Sequence, residues 1–358
     1  MSTWLPRQTP GNSPLAGERV LDFSELLPGP FMTQSMSELG ADVLKVERPP
    51  HGDPIRLGAP ALYAALVRGK RTMMADLKQE HVKAAVLALA DEADVLVEAY
   101  RPGVMDRLGL GWDALHRRNP RLIYVSLSGY GSNGPWAQRP GHDLNYLAAA
   151  GIVALAAKDA APSPSFGVPM ADLNGATYAL AAVNAALFQR TSSGRGQRLD
   201  VSLAESTLHG INPRLAMFHQ LKADTLEQQR AIAQRRPAYG AFECCDGGWI
   251  TVGALEDHFW LALVNALDLQ TFAGEEWRTY AQRQRQTESI NAAIAAVLAK
   301  LSRIEAIERL IAGDVPVAEV WSPSELTAHP QWIARGLFIE TPGGPQVRFP
   351  VRMDQESA

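Results

Sequence analysis

A chain of 358 residues is too long for one small hydrophobic core, so two domains are expected. Its 34 basic and 38 acidic residues leave a formal net charge of −4, which argues against a nucleic-acid binder but allows a local basic pocket for a phosphorylated ligand. With 46% apolar and 20% charged residues, and no run of the roughly 18 apolar residues that a membrane helix needs, no membrane partner is expected and a cytoplasmic location follows.

Residues 1–14 are polar and carry Pro6, Pro10 and Pro14, which reads as a loose arm without a targeting segment. Arg19 to Phe23 reads as a strand, closed by a Leu27-Pro28-Gly29-Pro30 turn and followed by a helix over Phe31 to Leu39. Ala41 to Glu47 is a second strand. A strand–helix–strand unit of this length favours a parallel sheet. The alternation continues with strands over Thr72–Leu77, Asp94–Glu98 and Leu122–Leu127, and helices over His81–Ala90 and Leu110–Arg118. The first half therefore reads as doubly wound α/β, whose ligands sit at the carboxyl ends of the strands. The loops after Phe23, Glu47, Glu98 and Leu127 are the places for a site.

A long Ala-rich helix is expected over Asp172 to Arg190, then a strand over Gln197 to Val201 and a helix from Leu203 to Ile211. The charged, Gln-rich stretch Leu221 to Arg236 reads as a solvated helix or a connection. From Ala238 the character changes. Gly240–Cys245 and Trp249–Gly253 flank Asp246-Gly247-Gly248, a hairpin signal. Helical patterns follow at Phe259–Leu267, Gln286–Leu301 and Ile304–Ala312. These pieces suggest a smaller α+β domain over 225–325, beside a large domain over 1–220 to which 330–358 returns. Cys244 and Cys245, adjacent and without metal-ligand spacing, read as two reduced thiols in a strand.

The densest chemistry lies in Gly141-His142-Asp143-Leu144-Asn145-Tyr146, followed about thirty residues later by Asp172 in a Gly-bearing turn. A histidine beside an acid, and a second acid beyond, are the parts of a two-base proton-transfer site. The same parts also suit a carboxylate nucleophile. Asp172 reads as lying just before its helix, where an N-cap role and a catalytic role are compatible, and where an N–H near Leu173 or Asn174 would face a developing oxyanion. Asp143 either caps the helix from Leu144 or holds His142. Asn145 and Tyr146 either line a pocket or only pack.

Several segments, taken in order, carry a family resemblance. They are Leu21-Asp22-Phe23 with Leu27–Pro30, Leu39 to Pro49, Arg68-Gly69-Lys70-Arg71, Tyr100 to Gly109, Ser128-Gly129-Tyr130-Gly131 and Gly194-Arg195-Gly196-Gln197. From about Leu15 to Glu340 the chain resembles the family III CoA-transferase superfamily, the CaiB/BaiF group, and within it the α-methylacyl-CoA racemases. The resemblance implies an α/β fold with a large Rossmann-like domain and a smaller α+β domain, in an interlocked homodimer.

It also implies roles. The racemases carry a Gly-His-Asp-x-Asn-Tyr motif, an Asp-x-x-Gly turn and a Val-Gly-Ala-x-Glu motif, matched here by His142, Asp172 and Glu256. Glu256 would orient His142. The implied activity is racemisation of a 2-methylacyl-CoA in fatty acid metabolism, by removal and return of the α-proton through an enolate. The alternative is a CoA-transferase in which Asp172 attacks the acyl-CoA; transferases share the aspartate and usually lack the histidine. A non-catalytic acyl-CoA-binding protein is a third reading. No metal and no redox cofactor is implied, because coenzyme A enters as part of the substrate. Arg48, Arg101 and Arg107 occupy positions where the family contacts CoA, and Lys70 and Arg71 are further phosphate candidates. Tyr100 packs on the adenine or on the sheet. Two departures stand out: Ala312 to Ala318 is altered from the family pattern, and Pro162 to Phe166 is individual to this chain and is expected to shape the acyl pocket.

Overall fold

The structure, a computed structural model, describes residues 4–7, 13–156 and 167–353; the segment expected to shape an acyl pocket, 162–166, lies outside them. The chain divides into two compact units, residues 1–215 with 335–358 and residues 216–334.

In the first unit the elements run β1 (Arg19–Asp22), α1 (Pro28–Glu38), β2 (Asp42–Glu47), α2 (Ile55–Gly58), α3 (Pro60–Val67), β3 (Arg71–Met74), α4 (Glu80–Glu92), β4 (Val95–Glu98), α5 (Val104–Leu108), α6 (Trp112–Arg118) and β5 (Ile123–Ser128). They continue with α7 (Asp143–Ala149), α8 (Ile152–Leu155), α9 (Met170–Ser193), β6 (Arg198–Ser202) and α10 (Leu203–Gly210). Among the described residues the six strands form one parallel sheet in the order β3-β2-β1-β4-β5-β6. The order reverses between β1 and β4, which makes their carboxyl ends the switch point of a doubly wound fold.

Side-chain alternation explains the two layers of helices. Val20, Val43, Val95, Val97 and Val125 point to one face, where Met32 and Met36 of α1 and Val183 of α9 cover them. Leu21, Leu44, Leu96 and Tyr124 point to the other, against Val86 and Leu89 of α4 and Leu115 of α6. Strands covered on both faces read as near-continuous apolar runs, as β4 (Val-Leu-Val-Glu) does. The edge strand β3 alternates between half-buried and exposed residues. The Leu27–Pro30 segment is not a turn after β1: Pro28 opens α1, where its missing N–H costs nothing.

Below the switch point lies a buried charge network. The Lys70 ammonium pairs with Asp22 at 3.2 Å and donates to the Pro30 carbonyl (2.8 Å) and the Thr33 hydroxyl (2.6 Å), with both charged side chains fully buried. Lys45 pairs with Asp53 at 3.0 Å. Burial pushes the Asp22 carboxyl up, yet Lys70 and Lys45, with the hydroxyls of Ser24 and Thr33, hold it at about 2. Attraction wins there because all the charges sit in one low-dielectric pocket.

After α11 (Asn212–Gln220), the second unit contains α12 (Leu226–Gln234), β7 (Tyr239–Glu243), β8 (Trp249–Gly253), α13 (Asp257–Leu267), α14 (Tyr280–Gln284), α15 (Thr287–Leu298), α16 (Arg303–Ala312), β9 (Val317–Glu319) and α17 (Pro330–Ala334). α12 buries no residue and is opened by a Thr225–Gln228 capping box, in keeping with a solvated helix. The hairpin gains a third antiparallel strand, β9, in the altered Ala312–Ala318 region. Trp260, Ile250, Ile290 and Leu310 form the centre of this core. Cys244 and Cys245 are free and lie just past β7. A short ladder of β10 (Phe338–Ile339) and β11 (Gln346–Val347) belongs to the first unit, where Arg68 donates to Gln346 at 2.9 Å.

Asp22→Asn strands the Lys70 ammonium without its carboxylate. Urea denaturation should show a loss of roughly 3–5 kcal/mol. A loss below about 1 kcal/mol would mean that Lys70 sheds its proton instead.

Candidate active site

Two close approaches of backbone to ring set the entry to α7. A Cβ on Gly129 or Gly141 would stand 2.5 or 2.7 Å from the Tyr146 ring, so only glycine fits at either position. Tyr146 is buried beneath them and donates its hydroxyl to the Gly141 carbonyl at 2.5 Å. Tyr130 meets its ring edge-on at 5.3 Å. His142 is the N-cap residue of α7, with an exposed side chain. Its backbone N–H donates to Asn145 Oδ1 at 2.9 Å, and its carbonyl accepts from Asn145 N–H at 2.8 Å. Asn145 therefore fixes the backbone from which the imidazole projects.

Asp143 does not serve its own helix alone. Its Oδ1 accepts from the N–H groups of Ala171 (2.7 Å) and Asp172 (3.2 Å). It thereby satisfies donors that the start of α9 leaves open. α9 begins at Met170, with Pro169 as its N-cap residue. Asp172 is thus inside the first turn and not before the helix, contrary to the sequence expectation. The Leu173 N–H is already given to the Pro169 carbonyl at 3.1 Å, which removes it as an oxyanion donor.

Burial first, and the charge of Asp143 second, raise the Asp172 carboxyl from its ordinary range to about 7. A helix start favours a carboxylate by only about 0.3–1 kcal/mol, so desolvation outweighs it. Burial and then the charge of Asp172 push Tyr146 up to about 12.

Two neighbouring cavities open at the carboxyl ends of β4 and β5. The larger, about 450 Å³, is lined by His142, Asn145, Tyr146, Arg139, Arg101 and Tyr100 among others. The smaller, about 220 Å³, shares Tyr100, Arg101 and Ser128 and adds Glu98, Asp106 and Arg198. Burial raises Glu98 to about 7 against the opposing bonds from Ser126 and the Tyr100 N–H. Asp172 lines neither cavity; its charge acts on Tyr146, which forms part of the larger one's wall.

The expected basic residues divide into two sets. Arg48, exposed after β2, acts electrostatically on Tyr100 and Glu25. Arg101 is exposed after β4, and a Gly103 Cβ would meet Arg107 Nη1 at 3.4 Å. None of these three guanidinium groups is in an ion pair among the described residues. Lys70 and Arg71 are different. Lys70 is buried against Asp22, and Arg71 forks onto Asp42 at 2.7 and 2.8 Å. Each of these two phosphate candidates thus already has a carboxylate partner within the protein. Glu256 belongs to the second unit, as the exposed N-cap residue of α13. Sequence reasoning did not single out Arg139; its place three residues before His142 and three after Trp136 was the available signal.

A sequence model of CoA-transferase family III matches residues 15–358. An acetyl-CoA:oxalate CoA-transferase from Acetobacter aceti is 31% identical over 95% of this chain and 89% of its own length. The human alpha-methylacyl-CoA racemase is 32% identical over 91% of this chain and 82% of its own. A CaiB/BaiF family protein from Brucella suis superposes with a TM-score of 0.83 at 29% identity, covering 96% of this chain and 93% of that structure.

The raised Asp172 has a cost that pH reveals. Its contribution is favourable below the ordinary carboxylate range and is lost as pH rises through about 7. Asp172→Asn removes that penalty. Thermal unfolding should show the variant gaining roughly 1–3 kcal/mol on the parent between about pH 5 and about pH 8, after allowance for partial exposure. A gain that does not grow with pH would refute the raised carboxyl.

Proposed function

The chain belongs to CoA-transferase family III, and from that premise we propose that it is an acyl-CoA racemase acting on 2-methylacyl-CoA thioesters. The observation that carries the reading is the linkage of the His142 cap to the Asp172 turn through Asp143, with Asp172 raised to about 7. A thioester already acidifies its α-hydrogen. One base removes that proton and a second group returns one to the opposite face, through an enolate. In the proposal His142 and Asp172 are these two groups. An acid near 7 holds appreciable amounts of both protonation states at neutral pH, as such exchange requires.

No metal or redox cofactor enters the proposed reaction, and coenzyme A arrives with the substrate. Arg48, Arg101 and Arg107 are proposed for its phosphates, because guanidinium forks suit phosphate oxygens and these three lack a carboxylate partner. Tyr100, which lines both cavities and feels the charge of Arg48, is proposed to pack on the adenine. Glu256 keeps its part on the family motif alone. An interlocked homodimer in the cytoplasm is the proposed working form, again on the family resemblance. No helix among the described residues is long and apolar enough to cross a membrane.

A CoA-transferase is the second reading, favoured by the similarity to the oxalate CoA-transferase. There Asp172 would attack the thioester carbonyl, form a mixed anhydride and release CoA thiolate. Incubation with a 2-methylacyl-CoA in deuterated water, without a second acid, separates the two. Deuterium should enter at the α-carbon, His142→Ala should abolish this, and hydroxylamine should leave Asp172 unmodified. A hydroxamate at Asp172, with transfer of CoA to a free acid, would establish the transferase.

The binding assignment has its own test. Arg107→Ala should weaken acyl-CoA binding by about 1–3 kcal/mol, the scale of a charge-assisted hydrogen bond, with little change in folding. Unchanged affinity for free CoA, measured by calorimetry, would remove Arg107 from the site.

A further inference from the structure

The two neighbouring cavities differ in their charged lining. The smaller is lined by Glu98, Asp106 and Asp113 together with its arginines. The larger, which His142 lines, has no aspartate or glutamate in its wall; its charged members are Arg101 and Arg139. A concave site with cations and no carboxylate favours an anionic ligand.

Of the two cations, Arg101 lines both cavities, whereas Arg139 lines only the one that holds His142. Arg139 has no ion pair among the described residues. Its guanidinium carbon lies 4.4 Å from the Trp136 ring, and its backbone N–H donates to the Trp136 carbonyl at 2.8 Å. Trp136 in turn meets Tyr130 edge-on at 5.3 Å, and Tyr130 meets Tyr146. Next to Arg139, Gln138 donates to the Pro102 carbonyl at 3.2 Å, which ties this turn to the Arg101 loop. A long cationic side chain stacked on an aromatic surface has lost part of its freedom before any ligand arrives. It still presents N–H donors suited to a bidentate carboxylate.

We propose that Arg139 recognises a carboxylate on the acyl group, so that the preferred substrates are acyl-CoA thioesters with an anionic far end. The inference rests on the racemase reading for the placement of the reacting carbon near His142. It adds the chemical class of the acyl chain, which that reading leaves open.

The test compares 2-methylglutaryl-CoA with its isostere in which an isopropyl group replaces the free carboxylate. With the full chain, the α-deuterium exchange rate at limiting substrate should favour the carboxylated thioester by about 10- to 100-fold, the factor expected of one charge-assisted hydrogen bond. Arg139→Gln should bring that ratio close to one, and Arg139→Lys should retain part of it. A merely structural role would lower both rates together, and that outcome overturns the proposal. So does a parent enzyme without preference, or an Arg139→Gln variant that loses affinity for free CoA. If neither thioester exchanges, the racemase reading falls. The same ratio is then read from the dissociation constants of the two thioesters, where Arg139→Gln must still erase a preference for the carboxylated one.

Discussion

One carboxylate ties the site together. Asp143 follows His142 in sequence and accepts the Ala171 and Asp172 N–H groups in space. A helix start leaves donors unsatisfied, and a negative side chain there is favourable on both hydrogen-bonding and dipole grounds. The same charge is unfavourable for Asp172, whose own carboxyl lies in the turn that Asp143 caps. Together with burial it keeps Asp172 protonated to a higher pH than an ordinary aspartate. The contact that fixes α7 against α9 therefore also tunes a candidate acid/base group. The sequence leaves Asp143 as a cap of the helix from Leu144 or a holder of His142; in the structure its Oδ1 accepts from the start of α9.

Charge in the first unit is arranged at two depths. Near the sheet, Asp22 with Lys70 and Lys45 with Asp53 are closed pairs, buried and provided with hydroxyl or carbonyl partners. At the rim, Arg48, Arg101, Arg107 and Arg139 have no ion-pair partner among the described residues. Paired charges in a dry interior define geometry but offer nothing to a ligand. Guanidinium groups without a carboxylate at a strand end keep their donors available for an incoming anion. This division sets Lys70 and Arg71, adjacent in a family motif and each paired with a carboxylate, apart from the arginines that follow β2 and β4.

The sheet was largely legible in the sequence because central parallel strands must be apolar on both faces; Val95-Leu96-Val97 shows this directly. The hairpin around Asp246-Gly247-Gly248 was equally plain. Three features were not. The start of α9 lay two residues earlier than expected, because Pro169 accepts an N-cap position that no side chain advertises. The strand Val317–Glu319 is too short to give a periodic signal, and it exists because it pairs with β8. The burial of Lys70 depends on Asp22 and Thr33, which are far from it in sequence. Local pattern reveals elements, whereas these outcomes are decided by partners that only the fold brings near. For the candidate site, the motif pointed to His142 and Asp172 but not to the bonds by which Asp143 joins their segments.

The protonation state of Asp172 bears on the choice between the two enzyme readings. A nucleophilic carboxylate needs only its ionised form, so a nucleophile operating at neutral pH gains nothing in abundance from being raised to about 7. A racemase has the opposite requirement. For one enantiomer a given group removes the proton and must be ionised; for the other it delivers the proton and must be protonated. A reversible enzyme thus needs both forms of each group to be accessible, and the rate in the two directions is best balanced when the group titrates near the working pH. Increased basicity also strengthens a nucleophile, so the shift does not forbid acyl transfer. It does make the carboxylate scarcer at neutral pH, whereas a proton-transfer role uses both of its forms. Desolvation, with the second charge of Asp143, therefore supports the proposed role of Asp172 in moving a proton.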